Sequence, residues 1–299
     1  MNFKWFNGLV LGVVATGTFL CVAINYKINT FGVFGDVKGR SYSVSGSERT
    51  AKYLFSFNYI PSNFDGILIG SSISDNWNTS SLHMGHVYNA SISGGNISEE
   101  GLILENVLKR GSLKNVLFVI HPYLTESFGC KSGQMNPSDY WSTLGSVLLF
   151  NAYIEKAFSR GEPLTTPYGQ FRFPDPKAPL AALKGMSEVT SGFPVDERAM
   201  AVYGDLLRKA RQSGARVIGV IPLIYLPELR SKSQAYASYQ ARVRALFLAG
   251  ELVIDLNQQK ELESTQANST NFPDGVHYTT ATAEKVSLAL DRALRANSL

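Results

Sequence analysis

Asp65-Gly-Ile-Leu-Ile-Gly-Ser-Ser72 is a short β-branched run ending in small residues, the pattern of a buried parallel strand that runs into a functional loop. Four more segments repeat it: 87–90 (VYNA), 115–120 (NVLFVI), 215–222 (ARVIGVIP) and 251–256 (ELVIDL). Between them, residues 98–109, 196–213, 233–249 and 280–296 carry apolar residues at three- and four-residue spacing, the mark of amphipathic helices. Strands alternating with helices predict an α/β domain in three layers, a five-stranded parallel sheet covered by helices on both faces. One interval breaks the rhythm. Residues 121–194 hold prolines and aromatics without a strand signal, apart from a helical pattern at 137–159. A stretch of that length inside a compact domain is functional or carries structure of its own, so it reads as a cap inserted after the third strand.

Outward from this domain, 299 residues with 44% hydrophobic and 17% charged content suit one main core. The net charge of +4 is small, and Lys and Arg are scattered, which speaks against nucleic acid as a partner. No charge falls between Lys4 and Lys27, and residues 8–24 (GLVLGVVATGTFLCVAI) are almost wholly apolar. The expected organisation is a membrane segment at 1–25, a stalk and lead-in at 26–64 with a short helix at 48–57, and the main domain at 65–299. An uncleaved transmembrane helix is preferred because the apolar run exceeds most signal-peptide cores; cleavage after Cys21-Val22-Ala23 is the alternative. Thr-Phe-Leu ahead of Cys21 lacks the small residue of a lipidation site. Cys130 is alone in the remainder, which leaves the domain without an internal disulfide and reads as a small packing or loop residue.

Sites in parallel α/β sheets gather at the carboxyl ends of strands, where Gly70-Ser71-Ser72 falls. A serine there can sit beside free backbone N–H groups suited to an oxyanion. Taken alone, Gly-Ser-Ser is as well a helix N-cap. Phe272-Pro-Asp-Gly-Val-His-Tyr278 precedes the last helix, and its Asp274 to His277 spacing lets one turn bring a carboxylate to one ring nitrogen, leaving the other for a serine proton. Taken alone, it is as well a capped turn with a surface histidine. His83-Met-Gly-His86 has no accompanying carboxylate or cysteine cluster, so no metal site is expected. Asn78, Asn89, Asn96 and Asn268 begin glycosylation sequons; glycans at Asn89 and Asn96 would crowd the candidate site, an argument for a bacterial source. Tyr140, Trp141, Phe150, Tyr153, Tyr168, Phe171 and Phe173 of the cap are read first as its own packing and second as sugar-stacking rings.

Asn89-Ala-Ser-Ile-Ser-Gly-Gly-Asn-Ile-Ser-Glu-Glu-Gly101, following the second strand, resembles the second block of SGNH/GDSL esterases. In that family a serine follows the first strand, a glycine the second, and Asp-x-x-His precedes the C-terminal helix. The resemblance covers roughly residues 65–120 and 215–296. It implies a flavodoxin-like domain, a catalytic Ser72, Asp274 and His277, an oxyanion hole from the N–H groups of Ser72 and Gly94, and no cofactor or metal. Two departures stand out. Ser71 replaces the usual aspartate of the first block, and the third strand ends His121-Pro122-Tyr123 where the family has an asparagine, which leaves Tyr123 or Asn96 as the candidate third oxyanion donor. Losing one such donor costs about 3 kcal/mol in the transition state.

Gly-Ser-Ser variants with an N-terminal anchor resemble the SGNH-like proteins of bacterial envelope-polymer acylation, including alginate O-acetylation and teichoic-acid alanylation. That resemblance implies an O-acyl ester hydrolase or acyltransferase on the periplasmic or outer side of the inner membrane, held by a single pass, with acetyl as acyl group and an envelope or exported polysaccharide as substrate. Two other readings remain: a non-catalytic module that binds glycan or scaffolds a membrane-bound acyltransferase, and a lipid esterase.

Overall fold

The computed structural model describes residues 3–43, 47–126, 129, 133, 135–136, 138–145, 163–172 and 192–297. Its elements are α1 (Phe3–Ile28), α2 (Glu48–Phe55), α3 (Tyr59–Asn63), β1 (Gly66–Ile69), β2 (Val87–Asn89), α4 (Ile97–Arg110), β3 (Asn115–Val119), α5 (Pro122–Thr125), α6 (Asp139–Gly145), α7 (Glu197–Gln212), β4 (Arg216–Ile221), α8 (Leu226–Ser231), α9 (Ser233–Arg244), β5 (Leu252–Asp255), α10 (Glu263–Ala267) and α11 (Thr280–Ala296), with short 3-10 turns between. The sheet order is β2-β1-β3-β4-β5 and every pairing is parallel. All five expected strands are present, and the fold is the expected three-layer α/β arrangement with an N-terminal apolar helix.

The layering follows from strand alternation. Ile67 and Ile69 of β1, Val116 and Phe118 of β3, and Val217 and Ile221 of β4 join the core under α4, α7 and α9. Their neighbours Leu68, Leu117, Val119, Ile218 and Val220 point the other way, onto Val286, Leu290 and Leu294 of α11. Because both faces are covered, these strands read as continuous apolar runs. The chain turns from β1 outward to β2, then crosses back to β3, so the strand order reverses beside β1. Crevices at such a reversal, outside the carboxyl ends, are where open α/β sheets place ligands.

Residues 48–64, expected as lead-in, are part of the core. Phe55 and Tyr59 are buried and their rings meet Tyr88 of β2 at 6.4 and 6.1 Å. Glu48 and Lys52 are buried and ion-paired at 2.5 Å. Helix α1 is long and apolar enough to cross a membrane, with a mean hydropathy of 2.0. Its last turn joins the domain: Asn25 is buried and its Nδ2 donates to the Leu144 carbonyl of α6 at 2.8 Å.

Of the expected cap helix at 137–159, α6 is the described part; its Tyr140 packs on Phe34 and Phe57 at 5.8 and 4.9 Å. Residues 163–172 lie along the β2 edge, where the Asn89 N–H donates to the Tyr168 carbonyl at 2.8 Å and the Phe171 N–H to the Asp75 carbonyl at 2.7 Å. That pairing covers an edge strand that would otherwise expose its ladder. Cys130, Phe150, Tyr153 and Phe173 lie outside the described residues.

Candidate active site

The end of β1 is built so that one serine of three emerges. Gly70 has no room for a side chain, since a Cβ would lie 2.4 Å from Ser74 Oγ and 2.9 Å from Val119 Cβ. Ser71 continues the strand by pairing with Ile92 and is buried. Ser74 closes the turn: its N–H donates to the Ser71 carbonyl at 3.0 Å, and its Oγ lies 2.8 Å from Ser91 Oγ, fully buried. Asn89, also fully buried, fastens this turn to β2, its Nδ2 donating to the carbonyls of Ser74 (2.7 Å), Asp75 (3.2 Å) and Trp77 (3.0 Å). Ser72 remains partly open, and its Oγ lies 2.7 Å from His277 Nε2.

The histidine comes from the far end of the chain, on a turn that is itself braced. The Gly275 N–H donates to the Phe272 carbonyl at 2.9 Å, with Gly275 at φ +84, the left-handed region that favours glycine. Asp274 Oδ1 accepts from the N–H groups of Val276 (3.0 Å) and His277 (2.7 Å), and its Oδ2 meets His277 Nδ1. Behind it, Tyr278 is buried, donates its hydroxyl to the Leu223 carbonyl at 2.6 Å and stacks near Trp77. Burial alone would raise the Asp274 carboxyl, but the His277 ring and the two backbone N–H groups outweigh it and hold the group well below the usual carboxylate range. Asp274 is therefore an anion at any ordinary pH. It fixes the proton of His277 on Nδ1 and leaves Nε2 to accept from Ser72. The structure thus brings Ser72, Asp274 and His277 into one hydrogen-bonded chain.

Gly94 lies two residues beyond Ile92, the bridge partner of Ser71, so its loop runs alongside Ser72. It adopts φ +61, and the following Gly95 N–H donates to the Ile92 carbonyl at 2.9 Å. Asn96 caps α4, its Oδ1 accepting from the Glu99 N–H at 3.1 Å in a reciprocal capping box. Tyr123 gives its backbone N–H to His121 Nδ1 at 3.2 Å. Burial, less opposed by the nearby Arg49 charge, raises the Tyr123 phenol, so it stays a donor. His83 and His86 diverge: His83 Nδ1 lies 2.8 Å from Asp291 Oδ1, while His86 packs edge-on against Tyr168 at 6.1 Å.

Two features were not singled out from the sequence. One is His121, buried at the end of β3, which lines a small recess with Ile73, Leu223, Tyr225, Glu228 and Val276; Ile73 and Val276 are the chain neighbours of Ser72 and His277. A histidine at a strand end before proline was the only signal. Burial, reinforced by the charge of His277, lowers its pKa to about 3. The other is α2, whose Glu48, Arg49 and Lys52 reach the Gly94 loop.

His121 makes the protein acid-sensitive in a defined window. The unfolded chain takes up a proton near pH 6.5 that the folded chain refuses until about pH 3, so stability falls as pH drops between these values. At pH 4.5 the loss amounts to ~2–3 kcal/mol. Urea midpoints at pH 7.5 and 4.5 should differ clearly more in the wild type than in His121→Asn, whose amide can still accept the Tyr123 N–H. Equal differences would assign the acid sensitivity to other groups.

No protein family and no curated protein matches the sequence. Among solved structures, the chain is similar to a Streptococcus pneumonia protein provisionally described as a platelet activating factor, at 12% identity and a TM-score of 0.44, over 83% of this chain and 91% of that one. It is also similar to the psychrotrophic esterase EstA from Pseudoalteromonas sp. in a form inhibited by monoethylphosphonate, at 13% identity and a TM-score of 0.37, over 78% of this chain and 97% of that one.

Proposed function

We propose that this chain is a serine-dependent O-acyl ester hydrolase or acyltransferase of the SGNH/GDSL kind. The observation that carries the reading is the hydrogen-bonded chain from Asp274 through His277 to Ser72 Oγ, at the carboxyl end of β1 where the strand order reverses. Ser72 Oγ attacks the acyl carbonyl as its proton passes to His277 Nε2, and the imidazolium is held by the ionised Asp274. The developing oxyanion is met by the N–H groups of Ser72 and Gly94. His277 then gives its proton to the departing alcohol oxygen, leaving an acyl-serine. Water or a sugar hydroxyl, deprotonated by the same histidine, attacks that ester and returns Ser72 to its starting form.

Acetyl is taken as the acyl group from the resemblance to envelope-polymer O-acetylation. Helix α1 supports a tether in the bacterial inner membrane with the domain on the outer side, where the acyl acceptor or donor is an envelope or exported polysaccharide. On this reading the chain works beside, or hands acyl groups from, a membrane-bound acyltransferase.

Hydrolysis of 4-nitrophenyl acetate, butyrate and octanoate, together with acetate release from an acetylated polysaccharide, tests the acyl preference. The acetate ester should be turned over at least ten-fold faster than the octanoate, and acetate should be released from the polymer. A preference for octanoate would make the protein a lipid esterase instead.

A further inference from the structure

We infer that α2 is a clamp on the loop that carries Gly94, and that Arg49 is the positioning residue that turns the Gly94 N–H toward the site. The inference rests on the proposed acyl chemistry only for what that N–H does there.

Three side chains of α2 reach the loop. Arg49 Nη2 donates to the Ser93 carbonyl at 3.0 Å and to the Gly94 carbonyl at 3.1 Å. Lys52 Nζ donates to the Ser91 carbonyl at 2.5 Å, and Glu48 Oε2 accepts from the Ser93 N–H at 3.4 Å. The Ser93 hydroxyl is held from the other side, donating to Asp75 Oδ2 at 2.7 Å. Arg49 is itself fixed, because its Nη1 pairs with the Glu99 carboxylate, which caps α4 by accepting the Asn96 N–H at 3.4 Å.

The consequence follows from the planarity of the peptide unit. The Ser93 carbonyl and the Gly94 N–H belong to one trans peptide and point in opposite directions. Gripping that carbonyl from the α2 side therefore directs the Gly94 N–H away from α2. With Gly94 in the left-handed region, a loop that cost little to flip becomes held in one orientation by a charged, bidentate donor. A donor aimed in advance at the position of an oxyanion needs no reorganisation during the reaction, which is where such groups gain their effect. The sequence hides this arrangement because the clamp lies in the segment between the apolar helix and the first strand, far from the motifs it serves.

Arg49 is the residue to test, since it is partly exposed whereas Lys52 and Glu48 are buried and ion-paired with each other. Arg49→Met keeps the aliphatic stem and drops the guanidinium; Arg49→Lys restores one donor. With 4-nitrophenyl acetate, Arg49→Met should lower kcat by ~10- to 100-fold with KM changed by less than about three-fold, and Arg49→Lys should recover part of the loss. Hydrogen exchange of the peptide covering residues 91–96 should be at least about ten-fold faster in Arg49→Met, with the peptides of β1, β3 and α11 unchanged. Unchanged exchange in that loop, or a kcat within two-fold of wild type, would overturn the clamp. If the wild type itself hydrolyses no ester, the proposed function falls, and the exchange measurement still decides whether Arg49 holds the loop. Should Arg49→Met fail to fold, Glu99→Gln, which loosens the same grip while leaving an acceptor for the α4 cap, should show a smaller change of the same kind.

Discussion

Ser72→Ala should abolish ester turnover, with a fall in kcat of at least ~10⁴-fold and an unchanged circular dichroism spectrum. On the proposed mechanism the hydroxyl is the atom that forms the acyl bond, and neither neighbouring serine is placed to replace it: Ser71, which continues the strand opposite Ile92, is buried, and Ser74 is buried against Ser91. Ser71→Ala and Ser74→Ala should therefore alter rates far less, through local packing. His277→Ala should lose nearly as much as Ser72→Ala, and the double variant no more than either, because nucleophile and base act as a unit. A Ser72→Ala protein with wild-type turnover would remove the serine from the mechanism, and loss confined to Ser71→Ala would shift the nucleophile by one residue.

Asp274→Asn should be the next most damaging change, lowering kcat by ~10³- to 10⁴-fold at pH 7.5. The carboxylate does two jobs at once. Its Oδ1 accepts the Val276 and His277 N–H groups that shape the turn, and its Oδ2 fixes the proton of the ring on Nδ1. An asparagine can keep the first role and, by presenting its amide N–H to Nδ1, reverses the second, leaving Nε2 protonated and unable to accept from Ser72. The distinguishing measurement is the split between kcat and KM: kcat should carry the loss, with KM for a small acetyl ester within a few-fold of wild type. A variant that keeps more than about a tenth of its kcat would show that Asp274 shapes the turn without serving the histidine.

Much of the fold was legible because its strands are buried on both faces and so spell continuous runs such as ILI at 67–69 and VLFV at 116–119. The long helices α4, α7 and α11 have enough turns to display a period, and α11 begins and ends where its pattern does. Helix α9 stops at Arg244, short of the expected 249, as Ala245 caps it and Phe247 folds back against the Gly219 position of β4. Helix α2 falls within the short helix expected at 48–57, whereas α3, of five residues, is too short to show a period. The charges of α2 give no hint of its place in the core, since Lys52 is fully buried in the structure against Glu48 and the Ser91 carbonyl.

At the site, the sequence pointed to Ser72, Gly94, Asp274 and His277 by their order along the chain, and the structure places the serine, carboxylate and histidine in contact. What a linear reading could not weigh was the environment. His121 differs from any other histidine before a proline only through its burial beside His277. Arg49 matters through two carbonyls more than forty residues away. Such relations exist only once α2 has packed beside the loop, and no spacing rule reaches them.

Labelling with a fluorophosphonate, read by intact mass and peptide mapping, decides whether Ser72 is an activated nucleophile. An activated serine displaces fluoride and retains the phosphonyl group, which a merely surface-exposed hydroxyl does not do at comparable rates. One adduct per chain is expected on Ser72, formed within minutes, absent in Ser72→Ala and slowed at least ~100-fold in His277→Ala. No adduct on the folded wild-type protein, or an adduct at a serine other than Ser72, would contradict that role of Ser72.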